Sequence, residues 1–176
     1  MSKGFDPATF GPIFGPLLLV ERLPELGPGR PDEAHRVALE GAERDGFNHL
    51  TVKEPLAAKA FTAGLWLLFD FLDESHEISQ SLPDRWGAYW HGVMHRREPD
   101  AWNSKYWFRR IESNPIATSL KAASKGLGYD YHDPFAFVDD CERCRGKGGD
   151  EELRLRKVQL AEMRLLLAHH CAAAIY

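Results

Sequence analysis

Hydrophobic residues along most of the chain recur with the 3.6-residue period of an α-helix. Proline, glycine and Asx residues separate the periodic segments and supply helix starts and stops. The pattern predicts a short helix over 32–44, followed by six main helices over 55–81, 84–98, 100–113, 116–125, 134–145 and 150–176. We find no strict alternation of apolar and polar residues, as a half-buried strand would have. We therefore predict an all-α, single-domain bundle or array of about six helices, spanning 32–176.

The first 31 residues have a different pattern, because six prolines and several glycines interrupt the apolar positions. Proline removes a backbone donor and disfavours a continuing helix, so this stretch is predicted to be an extended N-terminal arm. Its apolar side chains still need burial, which indicates that the arm lies on a surface of the helical domain. These side chains are Phe10, Ile13, Phe14, Leu17, Leu18 and Leu19.

Composition is that of an ordinary globular protein, with 44% hydrophobic and 27% charged residues among 176. The net charge of −4 makes nucleic-acid binding an unfavoured function, since such proteins usually carry a basic excess. Three cysteines are too few for a secreted disulfide framework. The apolar run 10–20 is short and broken by prolines, so no membrane association is expected. A cytoplasmic location is the prediction, and a homo-oligomer stays open.

The predicted helix 84–98 has two faces. An apolar stripe is formed by Trp86, Tyr89, Trp90, Val93 and Met94. A second face carries His91, His95 and Glu98 at i, i+4 and i+7, beside small residues. Two histidines at this spacing can share one metal ion, as in helical zinc sites. The alternative is that both rings only form structural hydrogen bonds.

The preceding helix supplies acidic groups that could join these histidines. Asp70 lies inside an otherwise apolar run, and it shares a helical face with Asp73, Glu74 and Glu77. A buried carboxylate is costly unless it is paired. The structural interpretation pairs this face with cations of the following helices, namely Arg96, Arg97, Lys105, Arg109 and Arg110. The functional interpretation gathers Asp73, His76, His91 and His95 around an ion or a small polar ligand.

The helix that begins after Asp100, its predicted N-cap, also carries polar residues at helical spacing. Asn103, Tyr106 and Arg110 follow one face at i, i+3 and i+7, a pattern suited to a carboxylate or phosphate ligand. The same helix has a packing stripe formed by Ser104, Trp107, Phe108 and Ile111. The pattern Pro99-Asp100-x3-Ser104-x2-Trp107 resembles part of one tetratricopeptide unit, although a stable array needs at least three.

Together, three motifs resemble a family of uncharacterised bacterial and fungal helical proteins. They are Asp73-Glu-Ser-His76, Trp90-His-Gly-Val-Met-His95-Arg-Arg-Glu98-Pro-Asp100 and Asn103-Ser-Lys-Tyr-Trp-Phe-Arg-Arg110. The resemblance covers most of the helical region and implies a helical fold. It implies no activity.

The pair Cys141 and Cys144 resembles one half of a co-chaperone zinc module. Such a site needs four ligands, which His169, His170 and Cys171 could complete if the last helix folded back. The alternative places both thiols in the core, because Phe137, Val138, Cys141 and Cys144 share one helical face.

The leading hypothesis is therefore a helical protein with one polar site that binds a divalent metal ion or a small polar or anionic ligand. His91 and His95 are the expected metal ligands. The expected ligand-binding residues are Asp73, His76, Glu98, Asn103, Tyr106 and Arg110. Whether the protein is an enzyme stays open. The competing hypothesis is a tetratricopeptide-like adaptor that binds a protein partner in a helical groove.

Overall fold

The computed structural model describes residues 5–176, and every regular element in that range is helical. Short 3-10 turns occur at Pro7–Phe10 and Glu33–His35. The α-helices are α1 Gly11–Leu19, α2 Arg36–Asp45, α3 Pro55–Leu68, α4 Leu72–Gln80, α5 Asp84–Arg97, α6 Ala101–Phe108, α7 Ala117–Gly126, α8 Pro134–Cys144 and α9 Gly149–Ile175. The all-α class is confirmed. The expected number of about six helices is corrected to nine for the described part of the chain.

One additional helix lies within the predicted N-terminal arm, 1–31, of which residues 1–4 are outside the described range. The arm is not extended throughout, because Gly11–Leu19 is helical. Pro12 occupies the first turn, where a missing N–H costs little, although Pro16 lies inside the helix. Phe14 and the neighbouring leucines are buried. Burial of this apolar face against the domain outweighs the prolines, which the local pattern alone does not reveal.

Another additional helix arises where the predicted helix 55–81 is divided at Asp70. Asp70 has a φ of 67°, in the left-handed region that non-glycine residues seldom adopt. Its carboxylate accepts hydrogen bonds from Arg97 and, at 2.6 Å, from Arg22. These ion pairs accompany the break between α3 and α4. As a result, α4 starts in a new direction and packs against α5.

The centre of the fold is formed by α3 and the 27-residue helix α9, which is about 40 Å long. Gly64 on α3 faces Trp90 on α5, and a Cβ atom there would lie 2.1 Å from the indole. The indole N–H of Trp90 donates to Nδ1 of His170 on α9 at 2.9 Å. These contacts fix α5 between α3 and α9. Within residues 5–176, no helix combines the length and apolarity needed to cross a membrane.

The predicted pairing of the acidic face with five cations is confirmed only for Asp70 and Arg97. Arg96 is fully buried and pairs instead with Glu162 of α9. Lys105 pairs with Asp139, and Arg110 pairs with Asp84. Arg96, Lys105 and Arg110 therefore pair with acids outside α4, and Glu74 of α4 pairs with Arg36 instead.

Candidate functional site

The site is built on the pair α5 and α6, which the short segment 98–100 connects. Asp100 is the N-cap that the sequence predicted, because its side chain accepts the backbone N–H of Asn103 at 3.0 Å. The hydroxyl of Ser104 donates to the carbonyl of Gly92 at 2.7 Å, and both residues are small enough for close contact between the helices. Close packing of this helix pair brings the polar face of α5 toward the first turns of α6.

Three histidines converge beside this pair. His76 comes from α4, whereas His91 and His95 lie one turn apart on α5. One ring nitrogen from each lies within 4.8 Å of the others. The rings of His91 and His95 are nearly parallel, with centroids 4.9 Å apart, and His76 stands almost perpendicular to His91 at 4.6 Å. We call these residues the histidine cluster.

Burial differs among the three rings. His91 is 3% exposed and His95 is 6% exposed, whereas His76 is half-buried. The cluster is therefore shielded on the α5 side and reaches solvent past His76. Sequence analysis placed His76 among the ligand-binding residues and the other two among the metal ligands, and the fold brings all three together.

Trp107 covers one side of the cluster. Its ring stacks on His91 with centroids 3.8 Å apart and planes inclined by 13°. The sequence assigned Trp107 only to the packing stripe of its helix, so this contact was missed. A usable signal exists: His91 and Trp107 lie eight residues before and after Pro99, and His95 and Asn103 lie four before and after. Residues equidistant from the connection of two antiparallel helices tend to face each other.

His95 is held in a defined orientation by two polar neighbours. Its Nδ1 lies 2.8 Å from a carboxylate oxygen of Glu98. The amide nitrogen of Asn103 lies 3.1 Å from Nε2 and 3.4 Å from Nδ1. Because the carboxylate can only accept, the neutral ring carries its proton on Nδ1, and the Nε2 lone pair accepts from the Asn103 amide, which a metal ion would have to displace.

His91 differs, because its buried Nδ1 has no hydrogen-bond partner among the described residues. Burial lowers the pKa of His91 to about 3, and His95 and His76 add to this effect. Burial also lowers the pKa of His95, against the opposing influence of Glu98. Both α5 rings are thus uncharged at neutral pH, and an unpartnered buried nitrogen is a group that a ligand would satisfy.

The remaining predicted site residues lie around the cluster at different distances. Glu98 and Asn103 contact His95 directly. Asp73 is exposed and lines a cavity of about 330 Å³ together with Glu98. Arg110 bonds to the hydroxyl of Tyr106 at 3.0 Å, and its guanidinium lies 5.5 Å from the Trp107 ring. Tyr106 and Arg110 are therefore separated from the histidines by Trp107.

The cysteines do not form the alternative zinc site. Cys141, Cys144 and Cys171 are buried free thiols, and burial raises the pKa of Cys141 to about 12. Among the described residues, the histidine cluster is the only group of three or more metal-ligating side chains in close proximity. The described structure does not bring Cys141 and Cys144 together with His169, His170 and Cys171 as a set of metal ligands. The alternative interpretation, that both thiols are core residues, is confirmed by their burial.

Comparison of the chain with protein-family models, with curated proteins and with solved structures found no match in any of the three. The resemblance to bacterial and fungal helical proteins stays a prediction from the motifs. Any function must therefore be argued from the geometry of the site itself.

Proposed function

We propose that the protein binds a divalent transition-metal ion, with Zn²⁺ as the first choice, through His76, His91 and His95. The observation that carries this proposal is the convergence of three imidazoles within 4.8 Å. Imidazole nitrogen is a favoured ligand of zinc and also suits copper, iron and nickel. At a tetrahedral zinc ion with Zn–N bonds of 2.0–2.1 Å, ligand nitrogens lie roughly 3.3 Å apart. Modest side-chain rotation would bring the three rings to that spacing.

The protonation of the cluster supports a metal ion over a purely structural role. Because the pKa values of His91 and His95 are lowered, both rings are neutral at neutral pH and need not lose a proton before they bind a metal ion. A structural network would instead be expected to satisfy every buried ring nitrogen, and Nδ1 of His91 has no partner in the described chain. A metal ion bound by either nitrogen of the His91 ring would explain why this polar ring is buried there.

Glu98 supports the same proposal from outside the ligand set. A metal-bound histidine usually donates its other N–H to a carboxylate, which fixes the ring and increases its basicity. The contact between Glu98 and Nδ1 of His95 has this form. Glu98 is thus assigned here as a positioning residue, and the Asn103 amide as a group that can rotate to release Nε2.

Three protein ligands leave a fourth coordination position for water or a small polar ligand. A bound divalent ion would act there as a Lewis acid and would lower the pKa of a coordinated water. Of the chain's own residues, we expect the Asn103 amide, once it has released Nε2 of His95, to donate a hydrogen bond to such a ligand. Arg110 is less suited than the sequence predicted, because Asp84 already holds its charge at 2.7 Å.

The adaptor hypothesis receives less support. A concave surface lined by Asn103, Lys105 and Arg109, with the histidines buried and completely hydrogen-bonded, would favour this hypothesis. Lys105 is instead paired with Asp139, and His91 retains an unpartnered nitrogen. Trp102, exposed on α6, is the feature that still favours a protein partner.

The test is metal content and calorimetric titration with Zn²⁺, using tag-free protein purified without chelator. We expect about one equivalent of zinc per chain, and a loss of affinity of at least about 100-fold in the His91→Ala/His95→Ala variant. The matched control is His49→Ala/His132→Ala, which removes two exposed histidines from other surfaces. Equal zinc binding by both double variants would contradict the proposal.

A further inference from the structure

A second concave region lies away from the histidine cluster, between the start of α5, the segment 111–115 and the last turns of α9. Its volume of about 420 Å³ is within the range of small-molecule sites. The region uses no residue of the histidine cluster, so an inference drawn from it stands independently of the proposed metal site.

At the base of this cavity lies His170, which is 2% exposed. Its Nδ1 accepts the indole N–H of Trp90, so the proton of the neutral ring lies on Nε2. Burial lowers the pKa of His170 to about 3, which keeps the ring uncharged. No described residue accepts the Nε2–H. The cavity therefore contains a fixed, neutral hydrogen-bond donor without a protein acceptor.

Charged groups on the lining fall into paired and unpaired sets. Asp84 is paired with Arg110 at 2.7 Å. Arg85 lies over the Trp86 ring at 4.6 Å, and it is close enough to His169 to contribute to the lowered pKa of that ring after the larger effect of burial. Within residues 5–176, neither Arg85 nor Glu112 forms an ion pair. The lining thus offers one cation and one carboxylate, both solvent-exposed and both without an ion-pair partner in the described part of the chain.

Most of the remaining lining is apolar, apart from Ser113 and the hydroxyl of Tyr89. The contributing side chains are Trp86, Ile111, Pro115, Leu166 and Ala173. Such a surface fits a hydrocarbon or aromatic group of a ligand, because apolar walls with a few placed polar groups are typical of small-molecule sites. Trp86 is 6% exposed, and the Arg85 guanidinium lies 4.6 Å from the centroid of its ring.

We propose that this cavity binds a free α-amino acid with an apolar side chain. The ligand carboxylate meets Arg85 and the Nε2–H of His170, and the ammonium group meets Glu112. The side chain packs against Ile111, Pro115 and Ala173, the apolar lining residues that solvent reaches. A zwitterion satisfies both unpaired charges of the lining, whereas a simple carboxylate or amine leaves one of them without a partner.

Calorimetric titration with three probes that share a phenyl group tests the assignment. The probes are L-phenylalanine, 3-phenylpropionate and phenethylamine. We expect L-phenylalanine to bind most tightly, with each of the others weaker by about tenfold or more, because each lacks one charge-assisted contact. Arg85→Gln should weaken L-phenylalanine and 3-phenylpropionate but not phenethylamine. Glu112→Gln should weaken L-phenylalanine and phenethylamine but not 3-phenylpropionate.

Two matched controls separate binding from folding. Arg154→Gln removes an exposed arginine outside the cavity and should leave all affinities unchanged. Ala173→Leu narrows the cavity and should abolish binding, whereas Ala172→Leu, at the adjacent exposed position, should not. Thermal melting confirms that each variant is folded. Equal affinities for the three probes, or no saturable binding of L-phenylalanine, would overturn the assignment.

Discussion

The surroundings of Arg97 and the histidine cluster are both buried and polar, but they differ in how completely their polar atoms are hydrogen-bonded. In the first, the guanidinium of Arg97 donates to the carbonyls of Gly27, Leu67 and Pro28 and to the carboxylate of Asp70. In the second, the histidine cluster, Nδ1 of His91 has no partner among residues 5–176. Buried polar groups that are completely bonded stabilise a unique fold, whereas an unsatisfied one costs free energy. The difference marks Arg97 as part of the architecture and supports the binding role proposed for the histidines.

The largest expected effect comes from removing the bonded cation. Arg97→Met leaves three carbonyls without this donor and leaves Asp70 paired with Arg22 alone, and breaking a buried ion pair costs on the order of 3–5 kcal/mol. The partner variant is His91→Phe, which retains a ring against Trp107 and removes a nitrogen that has no bond. We expect it to change the free energy of unfolding by less than about 1 kcal/mol. Urea unfolding of metal-free protein at pH 7.5 measures both.

Similar losses in these two variants would remove the contrast between the two groups. A large loss in His91→Phe alone would indicate that the ring nitrogens make structural bonds. That result would favour the hydrogen-bonding interpretation of the sequence over the metal site.

A smaller effect is expected from the positioning residue. Glu98→Gln retains the size of the side chain but weakens the acceptor for the Nδ1–H of His95. Loss of such an outer partner typically lowers metal affinity 10- to 100-fold. Zinc titration of Glu98→Gln should give this loss, while Glu77→Gln, an exposed change on α4, should bind zinc as the natural chain does.

The pH dependence of stability should reflect the neutral state of His91. Its pKa is about 3 in the folded chain and near 6.5 when unfolded, so between these values the unfolded chain binds the extra proton. The stability contributed by the neutral ring is present above pH 6.5 and is lost as the pH falls toward 3. His170 adds a similar dependence. His91→Phe should therefore flatten the curve without abolishing it, in urea unfolding measured from pH 7 to pH 4.

The smallest effect is expected at the periphery. Arg110→Gln breaks an ion pair with Asp84 whose side chains are 42% and 39% exposed. Exposed pairs contribute from about 0 to 1 kcal/mol. We expect a change in this range and unaltered zinc affinity, since Trp107 separates Arg110 from the histidines. A tenfold loss of zinc affinity would instead return Arg110 to the binding site.

Local sequence patterns predicted the parts of this structure that depend on local physics. The apolar stripe of α5 is buried, Asp100 caps α6, and the i, i+4 spacing places His91 and His95 together. The break at Asp70 was missed, because an apolar run favours a continuous helix and the ion pairs with Arg22 and Arg97 come from elsewhere in the chain. Helix α1 was missed for the same reason, because burial of its apolar side chains against the domain outweighs the helix-breaking tendency of its prolines.

Sequence patterns could predict only that site residues close together on one helix, His91 and His95, lie side by side. His76 reaches the other histidines because α4 changes direction after Asp70, an event that no local pattern shows. Trp107 was assigned to packing, although its spacing from Pro99 matched that of His91. Arg110 was predicted to bind the ligand, and no local pattern reveals that its guanidinium pairs with Asp84, 26 residues earlier.

The most direct test of the central claim is zinc K-edge X-ray absorption on protein loaded with one equivalent of Zn²⁺. The proposed site predicts three imidazole nitrogens and one further nitrogen or oxygen at about 2.0–2.1 Å, with no sulfur in the first shell. The His91→Ala/His95→Ala variant should lose this signature. Sulfur scatterers at about 2.3 Å would place the ion on the cysteines and contradict the histidine site.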